Sequence, residues 1–256
     1  MKIDLQIQGI DAARGLIDGM SKQRMGAVVA TSLTRTVRKL EGEWQGALAT
    51  ELDRPQPFTI NSPRVKTATA SDLEAVLAIK DRPVRADAPA PVDWLAPNEE
   101  GGSRYLKKFE RSLIAQGSMP AGMRAVPGPY AKLDSFGNVS RGQIVQVITQ
   151  LGSDYTPGYQ RVIGKTLAKR LATAKRLGRE FVAFQKQKGK VKPGIYERRG
   201  RQLLMVFSFV RTVTYRKRLT LDQIAAEQAP IILSRQLERA ISEHRVAIAK
   251  KYGGRS

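Results

Sequence analysis

Apolar residues set the frame. In residues 2–8, Ile3, Leu5 and Ile7 alternate with polar positions, the period-two signature of a half-buried strand. From Asp11 the period lengthens. Leu16, Met20, Met25, Val28, Val29, Leu33, Val37, Leu40, Trp44, Leu48 and Leu52 recur at helical spacing as far as Asp53. Gly19 and Ser21 mark a break near the start, with Ser21 as the N-cap. A helix of about thirty residues is predicted, and one that long needs a partner surface along most of its length. Arg54-Pro55-Gln56-Pro57 ends it, because proline lacks the amide hydrogen and disfavours helix in the residue before.

Two strands are predicted next, over 64–68 and 73–80. Leu73, Ala75, Leu77 and Ile79 alternate, and Ala70-Ser71-Asp72 is short enough for a hairpin. Residues 81–102 change character, with Pro83, Pro89, Pro91 and Pro97 among alanines and scattered charge. They read as a proline-rich loop or arm, with Trp94 and Leu95 as its anchor on a partner or on the chain's own surface. Residues 103–160 read as an irregular insertion with short helices at 103–116 and 140–151. A basic helix follows over 159–177. Strands return at 180–185, 194–198 and 202–215, the last two joined by Arg199-Gly200-Arg201. The run Leu203–Val210 is apolar on both faces and so predicts a central strand. A terminal helix starts at Thr220 or Asp222 and reaches Tyr252, where Gly253-Gly254 stops it, with Pro230 kinking or dividing it. The fold class predicted is α+β: a single domain over 1–256, one antiparallel sheet packed against long N- and C-terminal helices, with an irregular Pro/Gly-rich insertion.

Charge sharpens this picture. Of 256 residues, 44 are Lys or Arg and 23 Asp or Glu, a net +21 that favours polyanions. The excess is local. Between Arg161 and Arg218 lie 18 basic residues against Glu180 and Glu197, a balance of +16, whereas residues 1–60 carry 8 basic and 7 acidic ones. The candidate polyanion- or subunit-contacting set is Lys165, Lys169, Arg170, Lys175 and Arg176 on the basic helix, then Lys186, Lys188, Lys190 and Lys192. Arg198, Arg199 and the triplet Arg216-Lys217-Arg218 complete it. Self-repulsion on this scale implies a compensating partner, either a phosphate backbone or the acidic face of a neighbouring subunit. Base reading is not expected: Tyr196, Phe207, Phe209 and Tyr215 sit in an apolar strand run and read as core.

Catalytic signatures are missing from the sequence. With no cysteine, a disulfide framework, thiolate metal site or thiol nucleophile is excluded. His244 is the only histidine and reads as a solvated helix residue beside Glu243 and Arg245. Gly158 to Gly164-Lys165-Thr166 approaches a phosphate loop but puts five residues between its glycines where four are needed. No cofactor, metal or catalytic residue is expected, and neither a signal peptide nor a membrane span.

Three stretches carry a resemblance. One is Asp53-Arg54-Pro55-Gln56-Pro57-Phe58-Thr59, running into Val65-Lys66-Thr67-Ala68 and Asp72-Leu73-Glu74-Ala75. Another runs from Ala125-Val126-Pro127-Gly128 through Lys132-Leu133-Asp134 to Gly137-Asn138-Val139-Ser140-Arg141-Gly142-Gln143-Ile144. The third is Lys192-Pro193-Gly194-Ile195-Tyr196-Glu197-Arg198, through Leu203–Val210 into the terminal helix. In these the chain resembles the prophage minor tail protein Z group, the tail-completion proteins of lambda-type long-tailed bacteriophages. The resemblance implies a structural virion subunit in a ring, commonly sixfold, at the head-proximal end of the tail or in the neck. Its partners would be itself, other phage neck and tail proteins, and double-stranded DNA without sequence specificity. Assembly would take place in the host cytoplasm. A non-specific nucleic-acid-binding protein is the alternative that the charge allows.

Overall fold

A computed structural model describes residues 2–5, 22–83, 89–151 and 180–252. The fold is α+β, with antiparallel sheets and long helices from both ends of the chain packed on sheet. It divides into two compact units rather than the single domain that the sequence predicts: residues 1–102 with 216–256, and residues 103–215.

The helical unit is built on α1 (Lys22–Glu51) and α6 (Leu221–Tyr252). Leu33, Val37, Leu40, Trp44 and Leu48 recur every three or four residues on one face of α1, and all are fully buried. The helices run antiparallel. Trp44 Nε1 donates to Leu221 O at 2.9 Å, and Ser32 Oγ to Gln236 O at 3.2 Å. Each fully buried leucine on that face contributes on the order of 1.5–3 kcal/mol over exposure. Pro230 does not divide α6 into two elements; the helix runs through it, and the residue is exposed. On the solvent side the lost amide and displaced carbonyl can be met by water. Ser21, the predicted N-cap, and residues 6–8 of the first strand lie outside the described residues.

Beside α1 lies a three-stranded antiparallel sheet of order β1-β3-β2, from β1 (Lys2–Leu5), β2 (Pro63–Lys66) and β3 (Ala75–Ile79). The predicted hairpin forms: Thr69 and Asp72 exchange backbone hydrogen bonds of 2.8 and 3.1 Å across Ala70-Ser71. The predicted alternation does not hold. Leu73 precedes the strand and is exposed, and all five residues of β3 are buried, as befits the central strand of the sheet.

The predicted arm over 81–102 is corrected: a short helix within it closes on this core, as does another over residues 57–60. In α2 (Pro57–Ile60) and α3 (Pro91–Glu100), proline occupies the first turn, where an amide hydrogen has no helical partner to lose. Asp93 Oδ2 accepts the Ala90 N–H at 3.0 Å. Leu95 is buried in the core and Trp94 packs at its edge, its ring 6.2 Å from that of Phe58. The pair therefore anchors α3 to its own unit. The far end of α3 reaches α6: Asn98 O accepts from Arg218 N and Leu219 N, and the buried Glu99 carboxylate accepts from Leu221 N at 3.3 Å and Asp222 N at 3.5 Å.

The sheet unit has its own core. Here β5 (Arg124–Pro127), β6 (Glu180–Phe184), β7 (Gly194–Arg199) and β8 (Gln202–Val210) form an antiparallel sheet of order β5-β8-β7-β6. As predicted, β8 is central. The predicted short helices are α4 (Lys108–Ala115) and α5 (Arg141–Gln150), and Ser140 caps α5 by accepting from Gln143 N. Phe109, Leu113, Met119, Ala125, Val147 and Ile148 pack with Ile195, Val206, Phe207 and Phe209. The expected irregular insertion is thus half of a folded unit. The strand predicted over 202–215 stops at Val210, and Thr214–Tyr215 (β9) is a separate two-residue strand; Gly102–Ser103 is β4. The predicted basic helix over 159–177 lies outside the described residues.

Candidate polyanion interface

Within the sheet unit the described candidate basic residues fall into two groups. Lys165, Lys169, Arg170, Lys175 and Arg176 lie outside the described residues. Arg216, Lys217 and Arg218 are exposed in the helical unit, between β9 and α6. The remaining candidates belong to the sheet unit, where the fold parts them. Lys186, Lys188, Lys190 and Lys192 lie on the β6–β7 connection, and Arg198 and Arg199 at the far end of β7. Six residues of strand carry the chain about 17 Å at roughly 3.3 Å per step, so the two groups occupy opposite ends of the sheet.

The lysine end is a narrow finger over residues 185–193. Lys188 and Val191 exchange two backbone hydrogen bonds of 3.0 Å around Gly189-Lys190. Gly189 takes the positive φ, 59°, that a two-residue hairpin loop demands of its first member. Residues 185–190 are all exposed, as is Lys192. The base is fixed: Tyr196 Oη donates to Lys192 O at 2.8 Å, Phe209 N to Pro193 O at 3.1 Å, and Gln185 Nε2 to Gly117 O. Phe184 meets Tyr196 edge to face at 5.5 Å beneath it. None of the four lysines has a carboxylate in salt-bridge reach among the described residues.

The arginine end differs. Arg199 Nη2 donates to Oε2 of the buried Glu197 at 3.0 Å, and Arg198 Nη1 lies 4.0 Å from Glu180 Oε2. Arg201 occupies the turn beside Gly200, whose φ is 58°. Apolar surface accompanies these cations. Leu203 is 37% exposed and Tyr130, which donates its N–H to Met205 O, is 54% exposed. Tyr196, Phe207 and Phe209 are buried, as the sequence predicts, whereas Tyr215, read with them as core, is half-buried on β9 because the apolar strand ends at Val210.

Two charged features escaped the sequence reading. Glu110 is fully buried and accepts four hydrogen bonds: Arg104 Nη1 at 2.8 Å and Lys107 N at 2.6 Å on Oε2, Arg104 Nη2 at 2.5 Å and Ala125 N at 2.8 Å on Oε1. Burial pushes its carboxyl upward more than any other single influence. The guanidinium and the two backbone N–H groups together outweigh burial and hold it below the ordinary carboxylate range. A glutamate three residues after Lys107, at the head of an apolar run, was the available signal for that helix start. The other feature is an open groove of about 520 Å3 between α1 and residues 67–70, lined by Thr31, Thr34, Arg35, Arg38, Thr67 and Thr69 among others. Helical spacing joins Thr31, Thr34, Arg35 and Arg38, but nothing in the sequence places 67–70 opposite them.

His244 is half-buried, not solvated as its charged neighbours suggest, and its Nε2 has no hydrogen-bond partner among the described residues. Among the described residues no three His, Asp or Glu side chains are grouped to hold a metal ion, and no helix is long and apolar enough to cross a membrane. Set against family models, curated proteins and solved structures, the chain matches none.

Proposed function

We propose that this chain is a structural subunit of a tailed-bacteriophage virion, a ring-forming tail-completion or neck component at the head-proximal end of the tail. It works by binding neighbours, not by turning over a substrate. Copies of the chain, in a ring of six, and other neck and tail proteins are its partners; it assembles in the host cytoplasm and ends in the virion. The observation that carries this reading is the lysine finger. Four cations on an anchored hairpin, with no carboxylate in reach among the described residues, call for an anionic partner outside the chain. The resemblance in three stretches to tail-completion proteins supplies the setting, a subunit ring around a DNA passage.

A lysate in which the reading frame is interrupted tests it. Heads and tails that fail to join, or tails of uncontrolled length, are expected, with infectivity restored when the chain is supplied in trans. Particles that lack the chain and infect normally contradict the proposal. A second reading, non-specific nucleic-acid binding outside any particle, draws on the same lysines. It predicts intact particles lacking the chain, and the chain recovered on cellular DNA.

A further inference from the structure

The two basic ends of the four-stranded sheet are built for different partners. The arginine end joins planar guanidinium groups to exposed Leu203 and Tyr130, and Arg and Tyr are enriched at protein–protein interfaces. Two of its three cations already have carboxylate neighbours, Arg198 with Glu180 and Arg199 with Glu197. The finger offers the reverse. Lysine is depleted at protein interfaces, and its ammonium is a compact, strongly hydrated point charge on a flexible stem. Between Gln185 and Lys192 the only apolar side chain is the half-buried Val191; Gln187, Gly189 and Val191 separate the lysines. Such a surface has little to desolvate against a protein and loses little by meeting phosphates that remain hydrated.

We infer that the hairpin over residues 185–193 is a nucleic-acid contact, gripping the phosphate backbone of duplex DNA without reading bases. The arrangement of the lysines fits that role. Lys190 sits in the turn, Lys188 in the bridge pair that closes it, and Lys186 and Lys192 flank that pair, all four exposed. Duplex DNA presents one negative charge per about 1.7 Å of axis, so a tip this narrow meets several phosphates at once. Because the base is anchored and the tip free, each lysine finds its own phosphate with no fixed register. The contact is therefore sequence-independent and strongly salt-dependent. It rests on the assembly reading only in supposing that DNA passes the subunit.

The full chain and a random-sequence duplex of 20–30 base pairs, titrated over a range of salt, test the inference. Each phosphate contact adds about 0.9 to the slope of log affinity against log salt, so replacing all four lysines by glutamine should flatten that slope by about 3.6. Lys190→Gln alone should remove about 0.9, which keeps the test decisive should the fourfold variant not fold. The fourfold Lys→Arg variant should keep the slope. Glutamine at Arg198, Arg199 and Arg201 should change it by less than one contact.

An unchanged slope in the fourfold glutamine variant overturns the inference. So does an equal loss in the arginine variant, or no duplex binding even at low salt. Loss of self-association with unaltered duplex binding also overturns it, since the finger would then face an acidic protein surface. The two proposals fail separately. A chain present in particles whose duplex binding ignores the lysines defeats this inference only, and one that grips DNA through the lysines but never enters a particle defeats only the virion reading.

Discussion

Each unit buries one carboxylate at the start of a helix, and the two are held differently. In the helical unit, Glu99 receives, among the described residues, only backbone N–H groups, those of Leu221 and Asp222, and so meets the open amides and the positive end of α6. In the sheet unit, Glu110 combines backbone N–H groups with a two-pronged guanidinium, and Arg104 is itself only 12% exposed on its side chain. Glu99 is a cap laid on a helix whose stability comes from the apolar face it shares with α1. Glu110 is a clamp tying residue 104, α4 and β5 through hydrogen bonds beside the apolar core they share. What fails when each is removed should differ in kind. A cap lost exposes two amides; a clamp lost strands a buried cation.

Both tryptophans, Trp44 and Trp94, lie in the helical unit, so their fluorescence follows that unit while far-ultraviolet dichroism follows both. The largest effect is expected from Glu110→Ala, about 3–5 kcal/mol, because Arg104 is left buried without its partner. In denaturant titrations the dichroism midpoint should fall and the tryptophan midpoint should stay; equal shifts in both would erase the distinction between the units. The same clamp sets an acid dependence. Glu110 is held below its ordinary pKa, so its stabilisation is complete above the unfolded value, near 4.5, and is lost as pH falls through the depressed folded value. Acid titration of Glu110→Gln should therefore show a flatter loss of sheet-unit structure below about pH 4.5 than the unaltered chain shows.

Glu99→Ala should cost less, about 1 kcal/mol, in the range of a lost helix cap, and should move the tryptophan transition first. A cost as large as that at Glu110 would mean that Glu99 is more than a cap. The smallest effect belongs to the finger. Lys186, Lys188, Lys190 and Lys192 replaced together by glutamine should change stability by less than about 0.5 kcal/mol, read from both probes, since their side chains touch nothing that the fold depends on.

Much of the fold was legible where one period ran long enough to be unambiguous. The face from Leu33 to Leu48 gave α1, Ile224 to Val246 gave α6, and the two-sided apolar run Leu203–Val210 gave the central strand. Pro91-Val92-Asp93-Trp94 reads as loop because four prolines crowd one stretch, yet proline in the first turn with an acid two residues later is also how a helix begins. The sheet unit was hidden for another reason: Phe109, Leu113, Met119 and Ala125 are core residues spread through a Pro/Gly-rich passage, and only the distant β7 and β8 reveal what they pack against. For the basic residues, identity and exposure were readable and arrangement was not. Adjacency along a chain becomes separation in space when a strand intervenes, as β7 does between Lys192 and Arg198.

The most direct test of the virion assignment is the protein composition of purified tailed particles from cells carrying this chain's reading frame, measured by quantitative mass spectrometry. A fixed copy number per particle, six or a small multiple of six relative to a tail protein of known count, is the predicted result. Particles that are complete and infectious, with the chain absent from them and recovered with cellular DNA, would contradict it.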